Sequence, residues 1–324
     1  MTPLKSLAAA CLAALLTVVL ALPAPSAWAQ SGKTIKLIVP YPPASGPDIL
    51  SRLMAEQIGR TQGMTVVIEN RPGGGTLIGT EAAARAAPDG TTVLLIANSF
   101  VTNPALKPQN YDVNTTFDPV CYLASTPMVL VVQSSSPYKK LDDLISAARE
   151  NPGKLSMAAA TNSSLQVAYE VLKISAKIDM TFVPFNGTAP AINNLMGGHV
   201  TAVMADYPTV TGHLKSGTLR ALLTASPKRV ADLPDVPTFT EAKHTKHEVD
   251  IFYGIVTPAK TPPDQLKLLQ DSFSAALKAA DVQPKLAAQG LFPVGMCGAP
   301  WGDFIRKMHE EYARVIPQTS MKAN

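Results

Sequence analysis

Two hydrophobic rhythms alternate along this chain. Short apolar runs with β-branched residues, at positions 36–39, 66–68 and 92–96, read as buried strands. Between them the spacing becomes helical. From residue 48 to 59 the apolar positions Ile49, Leu50, Leu53, Met54 and Ile58 recur three or four apart, and Gly59 sits where a helix would end. Residues 78–87 are rich in alanine and stop at Pro88-Asp89-Gly90. The order then repeats: runs at 128–132, 154–158, 180–184 and 200–204 predict strands, with helices over 141–150 and 165–175. After a further strand at 252–256 the chain turns helical, over 263–280, 282–289 and 301–315. Strands alternating with helices predict an α/β protein of two units, built on parallel sheets with helices on both faces and ending in a helical tail.

The N-terminus follows a different grammar. Lys5 is the only charge before Gly32, an apolar run from Leu7 to Leu22 follows it, and Ala27-Trp28-Ala29 puts small residues where a signal peptidase reads. The run is short for a membrane span, and Pro23 and Pro25 behind it favour cleavage. Cys11 has no lipobox-like sequence ahead of it. Residues 1–29 are therefore expected to be a secretory signal cut after Ala29, leaving an exported, soluble chain of 295 residues. No later apolar run is long enough to span a bilayer. Hydrophobic residues at 46% against 16% charged describe a globular chain with ample core, and a scattered net charge of +4 argues against a nucleic-acid partner. Beyond the signal the two cysteines, Cys121 and Cys297, leave two readings open, a disulfide or two buried thiols.

Candidate chemistry sits in two strand–loop–helix junctions. The loop from Tyr41 through Pro43, Ala44, Ser45 and Gly46 to Asp48 leaves the first strand, and Ser45 with Asp48 has capping-box spacing. Free N–H groups and the positive end of a helix dipole make such a junction an anion site. Thr161, Asn162, Ser163 and Ser164 form the matching loop of the second unit, offering hydroxyls and an amide to a carboxylate. Enzyme signatures are missing: there is no G-x-S-x-G, H-E-x-x-H, C-x-x-C or G-x-x-x-x-G-K, and the Gly73-Gly74-Gly75 loop lacks dinucleotide spacing. His244 and His247 share a helical spacing but read as part of a solvated loop, and no metal or cofactor is expected.

Taken in order, these segments resemble the Bug family of periplasmic solute-binding proteins, the receptors of tripartite tricarboxylate transporters. The resemblance rests on Val39-Pro40-Tyr41-Pro42 with Asp48, Glu69-Asn70-Arg71-Pro72-Gly73 with Gly79, Ala87-Pro88-Asp89-Gly90, Pro184-Phe185-Asn186-Gly187-Thr188-Ala189-Pro190, Leu233-Pro234-Asp235-Val236-Pro237 and Phe252-Tyr253-Gly254. It implies a two-domain Venus flytrap of type II form, with residues 30–126 and 252–324 in one domain and 127–251 in the other. It also implies a monomer that captures a small carboxylate in the interdomain cleft and hands it to membrane transporter subunits. Carried over residue by residue, the resemblance adds Phe100, Asn186, Gly187 and Asp206 to the cleft wall. Phe100, Phe185 and Phe252 leave two readings open: an apolar middle suited to a bulkier or aromatic acid, or three core residues. Relatives usually carry a glycine pair where Ala44-Ser45 stands, a Tyr-Lys-Gly at Phe185-Asn186-Gly187, a His where Gln166 falls and a Trp at Phe252. Two other classes stay open: an exported α/β hydrolase-like enzyme, and a ligand-less relative acting as a sensor or interaction protein.

Overall fold

The structure is a computed structural model and describes residues 33–43, 45–243 and 250–321. The expected signal sequence and its cleavage site, Ala44, and the pair His244 and His247 lie outside the described residues.

In the first sheet, β1 (Thr34–Val39) pairs in parallel with β2 (Thr65–Asn70) on one side and β3 (Thr92–Ile96) on the other. Strand β10 (Ile251–Pro258) runs antiparallel between β3 and β4 (Phe117–Thr126), and β11 (Phe292–Cys297) closes the edge against β4. The second sheet sets β6 (Ser156–Ala160) in parallel between β7 (Thr181–Phe185) and β8 (Ala202–Asp206). Strand β5 (Met128–Gln133) lies antiparallel between β8 and β9 (Leu219–Thr224). Both sheets are thus mixed, and the expectation of parallel sheets holds only for β1–β3 and β6–β8. Connectivity is the reason. Pro127 alone separates β4 from β5, so the chain runs straight from one sheet into the other and enters it against its new neighbours. Strand β10 repeats this reversal on the way back.

Helices cover both faces of the second sheet, which explains why its strands read as unbroken apolar runs. Successive strand side chains point to opposite faces. In β5, Leu130 and Val132 join the large core shared with the first sheet, while Val129 and Val131 join a smaller one. Strand β8 divides the same way, with Met204 in the large core and Val203 and Ala205 in the small one.

The returning segment seals the first sheet. Trp301, on helix Ala299–Val315, is fully buried and donates from Nε1 to the Ile255 carbonyl at 3.1 Å. It lies directly over Gly254, where a Cβ would overlap its ring and stand 2.9 Å from the Cys121 carbonyl. Cys121 and Cys297 are bonded as a disulfide, tying β4 to the edge strand β11 at their register position. Among the described residues no helix is long and apolar enough to cross a membrane.

Candidate functional site

A cavity of about 590 Å³ opens between the two sheets. Its walls are the carboxyl ends of strands and the amino ends of helices, the position where open α/β sheets hold ligands. Of the helices α1 (Gly46–Gln62), α2 (Leu77–Ala84), α3 (Ser99–Leu106), α4 (Leu141–Glu150), α5 (Ser164–Ala176), α6 (Thr188–Met196) and α7 (Tyr207–Lys215), five present their first turns to it: α1, α3, α5, α6 and α7. The first N–H groups of a helix have no intrahelical partner, and their dipoles point outward with positive sign. No side-chain cap covers them in α1, α3, α6 or α7. Among the described lining residues there is no lysine, arginine or histidine, and Asp206 is the sole charged group.

The hydroxyls around the cavity are mostly engaged inward. Ser45 caps nothing: its Oγ donates to the Pro42 carbonyl at 2.7 Å, so the expected capping box with Asp48 does not form. Ser163 does cap α5. Its Oγ donates to the Ala160 carbonyl at 2.6 Å and accepts from Gln166 N at 3.4 Å. Gln166 in turn accepts from Asn162 N at 2.8 Å, a reciprocal arrangement that closes the loop. Asp206, at the end of β8, accepts from the hydroxyls of Thr188 and of Thr209, the latter at 2.6 Å. The donors left for an anion are backbone N–H groups, the Ser164 hydroxyl, the amides of Asn186 and Gln289, and the phenols of Tyr41 and Tyr253. Burial pushes the Tyr41 pKa up to about 12, against the lowering pull of its bond to Ser99. Burial, then Asp206 and Tyr41, push that of Tyr253 well above the ordinary range. Both stay protonated at neutral pH.

The sequence-derived residues divide into two sets. Tyr41, Ser45, Gly46, Ser163, Ser164, Asn186, Gly187 and Asp206 all border the cavity. Pro43, Asp48, Phe100, Thr161 and Asn162 are not in its wall. Asp48 is buried, accepting from Arg52 Nε at 2.9 Å and Asn70 Nδ2 at 2.8 Å, while the same Asn70 amide holds the Tyr41 carbonyl at 3.1 Å. It shapes the loop from behind. Thr161 donates its backbone N–H to Phe185 at 3.0 Å, and Asn162 takes the left-handed turn at φ 51° that leads into the α5 cap. Phe100 stacks on Tyr111 and abuts Phe117, beside a separate cavity of about 150 Å³. Phe252 packs against Tyr122, Trp301 and Phe304, and Phe185 against the small core of the second sheet. The apolar middle made of three phenylalanines is therefore absent: these rings bury their faces in the cores, and Ile49, Leu165, Ile251 and Leu291 take their place. Asn98 and Ser99 at the start of α3, Thr209 on α7 and Leu291 carried no motif, and Tyr253 lay in a motif that was not read as part of the site; only folding brings them to one rim.

Residues 50–321 match the profile of the tripartite tricarboxylate transporter family receptor. The chain belongs to that family. The periplasmic binding protein BugD is 28% identical, with a TM-score of 0.79 covering 90% of this chain and 99% of its own. MatC from Rhodopseudomonas palustris, solved with bound malate, is 27% identical, with a TM-score of 0.77 over 87% of this chain and 98% of its own. A further Rhodopseudomonas palustris protein, solved with adipate, is 27% identical, with a TM-score of 0.80 over 90% of this chain and 97% of its own.

The fold is accordingly the two-domain α/β fold of periplasmic binding proteins, and the protein is a solute-binding receptor, not an enzyme. The departures noted in the sequence acquire physical meaning in this receptor. Asn186 borders the cavity at the position where the resemblance led to the expectation of a lysine, and the described wall holds no cation. Gln166 serves the α5 cap. Phe252 completes the aromatic cluster around Trp301.

Proposed function

We propose that this receptor captures a small aliphatic carboxylate, with one or two acid groups, in the cavity between its sheets and passes it to the membrane subunits of a tripartite transporter. The observation that carries the reading is the convergence of five helix N-termini on a cavity whose described wall has no cationic side chain. An anion there is held by backbone N–H groups at Gly46, Ser164, Leu165, Thr188 and Ala189, aided by the two phenols, while Ile49, Ile251 and Leu291 meet its methylene groups. The volume lies within the range of small-molecule sites. Relatives solved with malate and adipate support the substrate class. Asp206 narrows it: the part of a ligand beside that carboxylate has to be neutral or a hydrogen-bond donor, because like charges repel. In this reading the signal is removed after Ala29, the chain acts as a monomer, and residues 30–126 with 252–324 close against residues 127–251.

Thermal unfolding of the purified mature protein with malate, succinate, adipate, a short monocarboxylate and an aromatic acid tests the reading. A ligand at about one hundred times its Kd stabilises by ~2.7 kcal/mol, a rise of roughly 4 °C in Tm for a chain of this size. At least one aliphatic acid is expected to give that rise. The absence of a shift with any carboxylate overturns the reading.

A further inference from the structure

The glycine-rich loop after β2 has no role in the site as described. Gly73, Gly74 and Gly75 have φ of 121°, 57° and 64°, and Thr76 follows at 83°. A β-branched residue in that region is unfavourable and persists only where the surroundings over-determine it. Here they do. Asn103 donates to the Gly75 carbonyl at 2.6 Å, and Thr80 Oγ1 donates to the Thr76 carbonyl at 3.0 Å. The side chain so held is buried, and its Oγ1 donates to Ser99 Oγ at 3.2 Å. Ser99 Oγ lies 2.9 Å from the Tyr41 hydroxyl. Ser99 and Tyr41 border the cavity; Thr76 stands behind them.

We propose that Thr76 is a positioning residue for the ligand, turning the Tyr41 hydroxyl hydrogen into the cavity through Ser99. The proposal rests on the receptor reading above. A hydroxyl carries one hydrogen and two lone pairs. With Thr76 donating into one Ser99 lone pair, the order Thr76 to Ser99 to Tyr41 is favoured over a second donation from Tyr41 into the same oxygen, and the phenolic hydrogen is then left for an anion in the cavity. With the order reversed, Tyr41 would donate to Ser99 and turn lone pairs on that anion. Chained hydroxyls polarise one another in the same direction. Thr76 thereby biases a donor it does not touch, and the unfavourable backbone of the loop is what places it.

Calorimetry with succinate, malate and adipate, alongside thermal unfolding, tests this. Thr76→Ala and Thr76→Ser make the same demand on the backbone and differ only in the hydroxyl. Thr76→Ser is expected to bind within about twofold of the wild type, and Thr76→Ala to bind roughly five- to tenfold more weakly at equal Tm. Tyr41→Phe loses a hydrogen bond to a charged group, roughly tenfold to a hundredfold in Kd. The double variant Thr76→Ala/Tyr41→Phe is expected to bind no more weakly than Tyr41→Phe alone, since the two act through one hydrogen. Ser99→Ala, which breaks the chain at its middle, reproduces the loss if Thr76→Ala folds poorly. Wild-type binding that Thr76→Ala and Ser99→Ala both leave intact overturns this proposal alone, as does a Thr76→Ala loss that persists in full beside Tyr41→Phe. A wild type that binds none of the acids overturns the receptor reading and this proposal with it.

Discussion

Buried tyrosines set the response of this receptor to alkaline pH. The sequence has eight tyrosines, and the environment displaces every one of them upward: Tyr41 and Tyr207 to about 12, and Tyr111, Tyr122, Tyr138, Tyr169, Tyr253 and Tyr312 in the same direction. Burial is the first cause in each case. A phenol whose folded pKa lies above its unfolded value keeps its proton in the native state after the unfolded chain has released it. The stability this contributes is complete below about pH 10 and is lost as the pH rises toward and past 12. The protein is therefore expected to hold its Tm up to about pH 9 and to unfold cooperatively on further alkaline titration, with phenolate absorbance appearing in step with loss of circular dichroism. Phenolate absorbance that develops near pH 10 in a fully folded protein would refute this.

At the scale of the element, α5 shows how a cap can be mistaken for a binding group. Its N-cap sequence suits a carboxylate donor and a helix cap equally well. The structure commits Ser163 to the cap, because its single hydrogen goes to the Ala160 carbonyl and its lone pair to Gln166 N. Ser163→Ala is expected to lose ~1 kcal/mol of stability, a drop of a few degrees in Tm, while affinity for a bound acid changes less than about threefold. A tenfold loss of affinity in calorimetry, with Tm unchanged, would return Ser163 to the ligand. The other elements of the rim are uncapped, and that leaves their N–H groups available to an anion.

At the scale of the whole molecule, two sheets share one large core. The chain crosses at Pro127, whose carbonyl accepts from Tyr207 N at 2.9 Å, and is back in the first sheet at β10. A third tie runs from the turn after the last helix, where Ser320 Oγ donates to buried Glu170 on α5 at 2.9 Å. Ligand capture is expected to bring the two sheets together by hinge motion about the crossing at Pro127. Small-angle scattering is expected to give a smaller radius of gyration with a saturating carboxylate than without it. An unchanged radius alongside calorimetrically proven binding would argue for a preformed site that does not close.

Periodicity was enough to locate most elements of this protein. The run at 92–96 and the helix over 141–150 coincide with the observed Thr92–Ile96 and Leu141–Glu150, because buried strands and amphipathic helices write their burial into local spacing. The strands Phe117–Thr126, Leu219–Thr224 and Phe292–Cys297 escaped notice: Pro119, Pro293 and Gly295 interrupt the first and last, and pairing with partners distant in sequence holds them. The same limit applies to the site. The two loops that open it were legible as strand–loop–helix junctions, each a local feature. Which of their groups face the cavity was not, because a serine donates either to a carbonyl of its own turn or to a ligand, and only the folded backbone chooses. Tyr253, the start of α3 and Thr76 behind it lie far apart along the chain. They meet only because β10 returns between β3 and β4 and the glycine loop folds back on α3, contacts between segments that no local spacing encodes.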